Sequence, residues 1–205
     1  MTLDQFRPLA EKGLSPFVRA ADALGLTPDG VSVLAFACAV AAGVAFGLAP
    51  PAEAPLYYVA GSLLVFANGW LDLVDGALAR AQGTDTSGGD LLDHVLDRYA
   101  DIAVLVGLAA GIGRYGLGLA AVTGVLMTSY LGTQIQAVGI GREYGGLLGR
   151  ADRLALVGIV GVVAAAVPGS LVAGLNVVGL LLVVFAVVGH VTAIQRFRGA
   201  WTDLQ

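Results

Sequence analysis

The sequence is poor in charge. Asp, Glu, Lys and Arg make up only 13% of its 205 residues, where an average globular chain carries about 25%. Hydrophobic residues account for 57%, and a single soluble domain of this size cannot hide that much apolar surface from water. Lysine is nearly absent: Lys12 stands beside ten arginines, against twelve aspartates and three glutamates, for a net charge of −4. That balance builds no polybasic, nucleic-acid-binding surface. Cysteine is reduced to Cys38, inside an apolar run. It can form no internal disulfide, has no companion for a metal site, and reads as a small buried hydrophobe. These scarcities exclude a secreted disulfide-braced domain, a DNA-binding module and a disordered tail.

What the sequence does have is long runs without charge, at residues 31 to 52, 54 to 71, 115 to 141 and 154 to 195. About 20 apolar residues suffice to cross a bilayer as a helix, so the chain reads as an all-α, polytopic membrane protein. Six spanning helices fit. They are expected at about Val31 to Ala49, Leu56 to Arg80, Gly89 to Gly113, Tyr115 to Gly139, Ala151 to Val167 and Leu171 to Phe197. Pro50-Pro51 ends the first, and Pro168-Gly169-Ser170 divides the last long run. Residues 1 to 29 mix Asp4, Arg7, Glu11, Lys12, Arg19, Asp22 and Asp29 with Leu3, Phe6, Leu14, Phe17, Val18 and Leu24. They read as an amphipathic helix in the headgroup region, and not as a cleaved leader. The expected organisation is therefore a juxtamembrane segment over 1–29, a six-helix membrane domain over 30–199 and a tail over 200–205.

The basic residues set the orientation. With six spans, Arg7, Lys12, Arg19, Arg80, Arg98, Arg142, Arg150, Arg153, Arg196 and Arg198 share a side with both termini, and Arg114 alone faces the other. Ten against one puts the termini and the 80–89 and 140–152 loops in the cytoplasm. The pairs Gly43-xxx-Gly47 and Gly107-xxx-Gly111 let helices approach closely. Internal packing is the first reading of these pairs and dimerisation the second.

The residues that carry chemistry lie between 72 and 101. Ionisable groups at membrane depth are costly and mark function. At about 100° per residue, Asp72, Asp75, Gly76 and Ala79 fall in one arc of the second spanning helix. Gly89, Asp93 and Asp97 form one stripe of the third. Two carboxylates from each helix can thus face one another. Four carboxylates so close cannot all ionise without counter-charge, and oxygen-only ligation suits Mg²⁺ or Mn²⁺, with room for two ions. His94 and His190 stand apart from these stripes and read as structural or surface groups. Gly76, Ala79 and Gly89 leave space for a ligand, and Arg80 can meet a phosphate. The sum is a diphosphate site at the membrane surface.

Asp72-xx-Asp75-Gly76-xx-Ala79-Arg80, eight residues, then Gly89-xxx-Asp93-xxx-Asp97, resembles the signature of the CDP-alcohol phosphotransferases, with all eight fixed positions in place. The six expected helices and the surface helix extend the resemblance over essentially the whole chain. It implies transfer of a phosphatidyl-type group from a CDP-linked lipid (CDP-diacylglycerol or CDP-archaeol) to an alcohol, with release of CMP. It also implies that Asp72, Asp75, Asp93 and Asp97 hold two divalent ions, that Asp97 is the general base, and that Gly76, Ala79, Gly89 and Arg80 receive the CDP-lipid. A homodimer in the cytoplasmic membrane is implied as well.

The acceptor is read from other residues. Arg150 and Arg153 open the fifth spanning helix and Arg196 closes the sixth. A helix N-terminus with guanidinium groups is an anion site. This cluster resembles the family branch that uses a phosphorylated polyol, the phosphatidylinositol phosphate and archaetidylinositol phosphate synthases. That branch carries a basic residue near the end of the fourth helix, where this chain has Gln134 and Gln136. The arginine cluster makes inositol 1-phosphate the first expectation, and the two glutamines are a departure from that branch. Glycerol phosphate, or an unphosphorylated alcohol such as serine or inositol, is the alternative. Two other classes also place aspartates in membranes. A membrane prenyltransferase usually has two Asp-rich motifs, where this chain has one constellation. A small transporter would not require the Gly/Ala/Arg scaffold.

Overall fold

The computed structural model describes the backbone of residues 7–141 and 148–205, and side chains from residue 13 onward within those ranges. The described residues form seven helices: α1 (Arg7–Ala23), α2 (Pro28–Gly47), α3 (Pro55–Gln82), α4 (Ser87–Gly111), α5 (Tyr115–Ala137), α6 (Arg150–Ala166) and α7 (Val177–Asp203). Leu3, Phe6 and Arg142, together with the side chains of Arg7 and Lys12, lie outside the described residues.

The starts of these helices are written in the sequence. Thr27 caps α2 by accepting from the Gly30 N–H, and Pro28 sits in its first turn. Thr86 caps α4 by accepting from the Gly89 N–H. Both are side-chain oxygens satisfying N–H groups that a helix start leaves free. Gly83, in the left-handed conformation at φ 64°, closes α3. The expected boundaries hold to within three residues except at the last helix. α7 begins at Val177, where Asn176 accepts from the Gly179 N–H. Leu171 and Val172 instead enter a turn through Ala173 and Gly174, both at positive φ, closed by a bridge between Val172 and Leu175. At its other end α7 continues through the expected tail to Asp203.

Four helices, α2, α3, α5 and α7, are long and apolar enough to cross a membrane, and the chain is a multi-pass membrane protein. The expectation of six meets two exceptions. α4 carries Asp90, Asp93, Asp97, Arg98 and Asp101 in its first fifteen residues. α6 has only 17 residues, about 25 Å of rise.

α2 is the organising element, packing against both α3 and α4. Its union with α4 is backbone on backbone. A Cβ on Gly43 would lie 2.3 Å from the Ala103 carbonyl oxygen, and one on Gly107 would lie 2.0 Å from that of Gly43. Gly111 meets the Phe46 carbonyl in the same way. These glycines serve packing within the chain. α6 packs on α3, and α5 on α7. The core joins Phe46, Tyr58, Val65, Leu108, Val157 and Phe185. α1 lies on α3, with Leu14 and Ala21 buried in a second cluster with Val74 and Leu78, and the Phe17 ring meets Trp70 edge-on at 5.1 Å.

Candidate active site

Among the described residues α3 and α4 do not pack on each other, although α2 touches both. A groove therefore opens between them, and the aspartates line it. Asp72 and Asp75 enter from α3, Asp93 and Asp97 from α4, above a floor of Ser32, Ala35 and Phe36 from α2 with Asn68, Leu96 and Ala100. One carboxylate oxygen from each of Asp72, Asp75 and Asp93 lies within 4.8 Å of the others. Such spacing lets a single cation touch all three, and oxygen-only donors are what Mg²⁺ and Mn²⁺ take. Asp97 lines the same groove one turn further along α4.

Two polar residues of the floor were not singled out from the sequence. The Ser32 hydroxyl donates to Asp75 Oδ2 at 2.7 Å and so holds the most buried aspartate of the triad. Asn68 donates from Nδ2 to the Ala35 carbonyl, tying α3 to α2, and its Oδ1 is buried without a partner beside the carboxylates. The available signal was an isolated polar side chain inside each apolar run.

Cations close the groove from the other side. Arg150, first residue of α6, bridges the two aspartate helices, with Nη1 2.5 Å from Asp72 and Nη2 2.6 Å from Asp97. Arg98 pairs with Asp97 at 3.5 Å and donates to the Ser129 hydroxyl on α5. Arg153 is buried and donates from Nη2 to Asp101 at 3.0 Å, and its Nε, like that of Arg150, is buried without a partner. Arg196 donates to the Thr128 carbonyl at 2.6 Å, and Thr128 in turn donates to the Gly189 carbonyl, so this arginine braces α5 against α7.

The remaining expected residues lie along the rim. Arg80 is exposed near the end of α3, with Gly76 and Ala79 half-buried on the same helix. The space beside Gly89 is narrower than expected, because a Cβ there would come 3.3 Å from Asp29 Oδ1 at the start of α2. His94 is exposed and its Nδ1 lies 2.7 Å from the Asp90 carbonyl, while His190 faces Thr123. His94 Nδ1 also lies 3.9 Å from Asp93 Oδ2, and neither histidine is among the three converging ligands.

Arg150 supplies counter-charge that the clustered carboxylates need. Arg150→Gln removes it. The substitution is expected to lower stability without divalent ions by about 2 kcal/mol, a value discounted for the partial exposure of the pair. This is a fall in Tm of roughly 5 °C, and Mn²⁺ should restore much of it. Thermal unfolding in detergent with chelator and with Mn²⁺ checks this. An equal loss under both conditions would contradict the counter-charge role.

The groove sets a carboxylate triad able to hold a divalent cation into a frame of membrane helices. The chain belongs to the CDP-alcohol phosphatidyltransferase family, whose model matches residues 25–195. It is 32% identical to the archaetidylinositol phosphate synthase of Methanothermobacter thermautotrophicus, over 99% of this chain and 96% of that one. It is 31% identical to the phosphatidylinositol phosphate synthase of Mycobacterium tuberculosis, over 92% and 86%. The crystal structure of that mycobacterial enzyme with manganese and citrate matches at a TM-score of 0.76 and 28% identity, covering 92% of this chain and 89% of that one. The same enzyme with CDP-DAG bound matches at 0.75, covering 92% and 94%.

Proposed function

We propose that this protein moves the phosphatidyl-type group of a CDP-linked lipid, diacylglycerol- or archaeol-based, onto inositol 1-phosphate and releases CMP. The observation that carries the reading is the ion pairing of the groove's aspartates with the start of α6. Three converging carboxylates stand ready for a metal-bound diphosphate, and α6 presents buried guanidinium groups with open N–H valences. The relatives named archaetidylinositol and phosphatidylinositol phosphate synthases support the same acceptor. Glycerol phosphate is the second choice.

Two divalent ions, Mg²⁺ or Mn²⁺, held by Asp72, Asp75, Asp93 and Asp97 supply Lewis-acid neutralisation of the diphosphate charge. The chain's own residues do the rest. Gly76, Ala79, Gly89 and Arg80 receive the CDP-lipid at the rim. Arg153, with Arg150 and Arg196, holds the acceptor phosphate. Asp97 takes the proton of the acceptor hydroxyl as that oxygen bonds to the lipid-side phosphorus. The bond from this phosphorus to the bridging oxygen breaks, and CMP leaves with the electron pair. Positioning and charge stabilisation, more than covalent chemistry by the protein, carry such a transfer.

The catalytic unit is the six-helix domain over 30–199, with α4 and α6 crossing inside the bundle where their charges face protein. α1 lies in the headgroup layer of the cytoplasmic membrane, and the termini and groove face the cytoplasm. Two copies form a homodimer. Single cysteines at positions 85 and 114, in a Cys38→Ser background, test the topology. A membrane-impermeant thiol reagent should reach 85 from the cytoplasmic face and 114 from the opposite one. Labelling of both from one face would overturn it.

The acceptor is tested by CMP release in liposomes carrying CDP-lipid, over a panel of inositol 1-phosphate, glycerol 3-phosphate, inositol and serine. A hydrogen bond to a charged group is worth about 1.5 to 3 kcal/mol, or roughly ten- to a hundredfold in affinity. Arg153→Ala should raise the KM for inositol 1-phosphate by about that factor, with little change for the CDP-lipid. Efficient use of free inositol or serine, with no penalty from Arg153→Ala, would rule the phosphorylated acceptor out.

A further inference from the structure

Asp101 stands outside the aspartate signature, yet it is among the most buried carboxylates of the described residues. It lies one turn beyond Asp97 on α4. Its Oδ2 accepts from Arg153 Nη2 at 3.0 Å and lies 3.8 Å from Arg98 Nη1. The other guanidinium arm of Arg98 reaches Asp97 at 3.5 Å. Asp101 is thus the node between the arginine at the start of α6 and the last aspartate of the groove.

Stability alone does not account for this node. A buried ion pair is often no more stabilising than well-packed apolar residues of similar volume. What such a pair does supply is a fixed direction for a long, rotamer-rich side chain. Asp101 takes one donor of Arg153 and leaves its Nε–H buried without a partner. A guanidinium carries five N–H donors in a rigid fork, so orienting one arm orients the rest.

We propose that Asp101 is a positioning residue for the transfer. It holds Arg153 so that the open edge of the guanidinium meets the acceptor phosphate. Through Arg98 it also sets Arg153 in register with Asp97. The proposal rests on the assignment of Arg153 to the acceptor phosphate given above.

A kinetic double-mutant cycle tests it, with Asp101→Asn, Arg153→Ala and the double variant assayed in liposomes with Mn²⁺. Asp101→Asn should raise the KM for inositol 1-phosphate about tenfold, with the KM for CDP-lipid and the Mn²⁺ affinity unchanged. Adding Arg153→Ala to Asp101→Asn should then cost far less than Arg153→Ala alone, because residues in one network do not act additively. Fully multiplicative losses would overturn the proposal. So would an Asp101→Asn variant that loses thermal stability while keeping its acceptor KM. If Arg153→Ala alone leaves the acceptor KM unchanged with Asp101 intact, the anchor assignment itself fails and the proposal falls with it. Asp101→Glu guards against misfolding, because it keeps the charge pair but lengthens the reach. It should give a folded enzyme with a raised acceptor KM, and an unchanged KM there would also overturn the proposal.

Discussion

Asp97→Asn is expected to lower kcat by roughly 10² to 10⁴, the usual contribution of a general base, while CDP-lipid binding stays measurable. The geometry separates the two effects. Asp72, Asp75 and Asp93 converge within 4.8 Å without Asp97, so the substitution leaves three carboxylates for the metal. Asp97 lies one turn on, held by Arg150 and Arg98, and Asn keeps its shape while removing its basicity. Single-turnover rates beside equilibrium binding of a CDP-lipid analogue make the comparison. Parallel losses of binding and turnover would make Asp97 chiefly a metal ligand.

Asp75→Asn is expected to abolish turnover by a different route. Replacing a partner that only supports a metal ligand costs about 10- to 100-fold in affinity or activity, and a direct ligand should cost at least as much. Asp75 is the most buried of the triad and accepts from Ser32 on the packed face of α2, so it cannot swing away and be replaced by a neighbour. Asn retains an oxygen for the Ser32 hydroxyl and removes one of several close negative charges. Stability without metal should therefore be kept or raised. Mn²⁺ titration calorimetry alongside turnover reads both quantities. Near-normal turnover with near-normal Mn²⁺ affinity would contradict the metal site.

The sequence carried the site further than the frame around it. Aspartates at helical spacing announced two facing stripes, and three of the four do converge. Thr86 caps the start of α4, the helix that carries Asp93 and Asp97. The start of α7 was misplaced because hydropathy sees an unbroken apolar run. It does not see that Asn176 caps a helix, or that Ala173 and Gly174 turn the chain. The two floor residues were hidden for a related reason. Ser32 meets Asp75 and Asn68 meets Ala35 across sequence separations of 43 and 33, which no local period encodes. The arginines show the same limit. Their places on α6 were legible, but not that Arg150 pairs with the aspartates themselves or that Arg153 is bound to Asp101.

The proposed transfer requires an acceptor that brings its own phosphate. It is tested most directly by the mass of the lipid product formed from CDP-lipid and inositol 1-phosphate in liposomes with Mn²⁺. A lipid bearing two phosphate groups, one from each substrate, is expected, with CMP formed in equal amount. A product with a single phosphate, or equal yield when free inositol replaces inositol 1-phosphate, would contradict it.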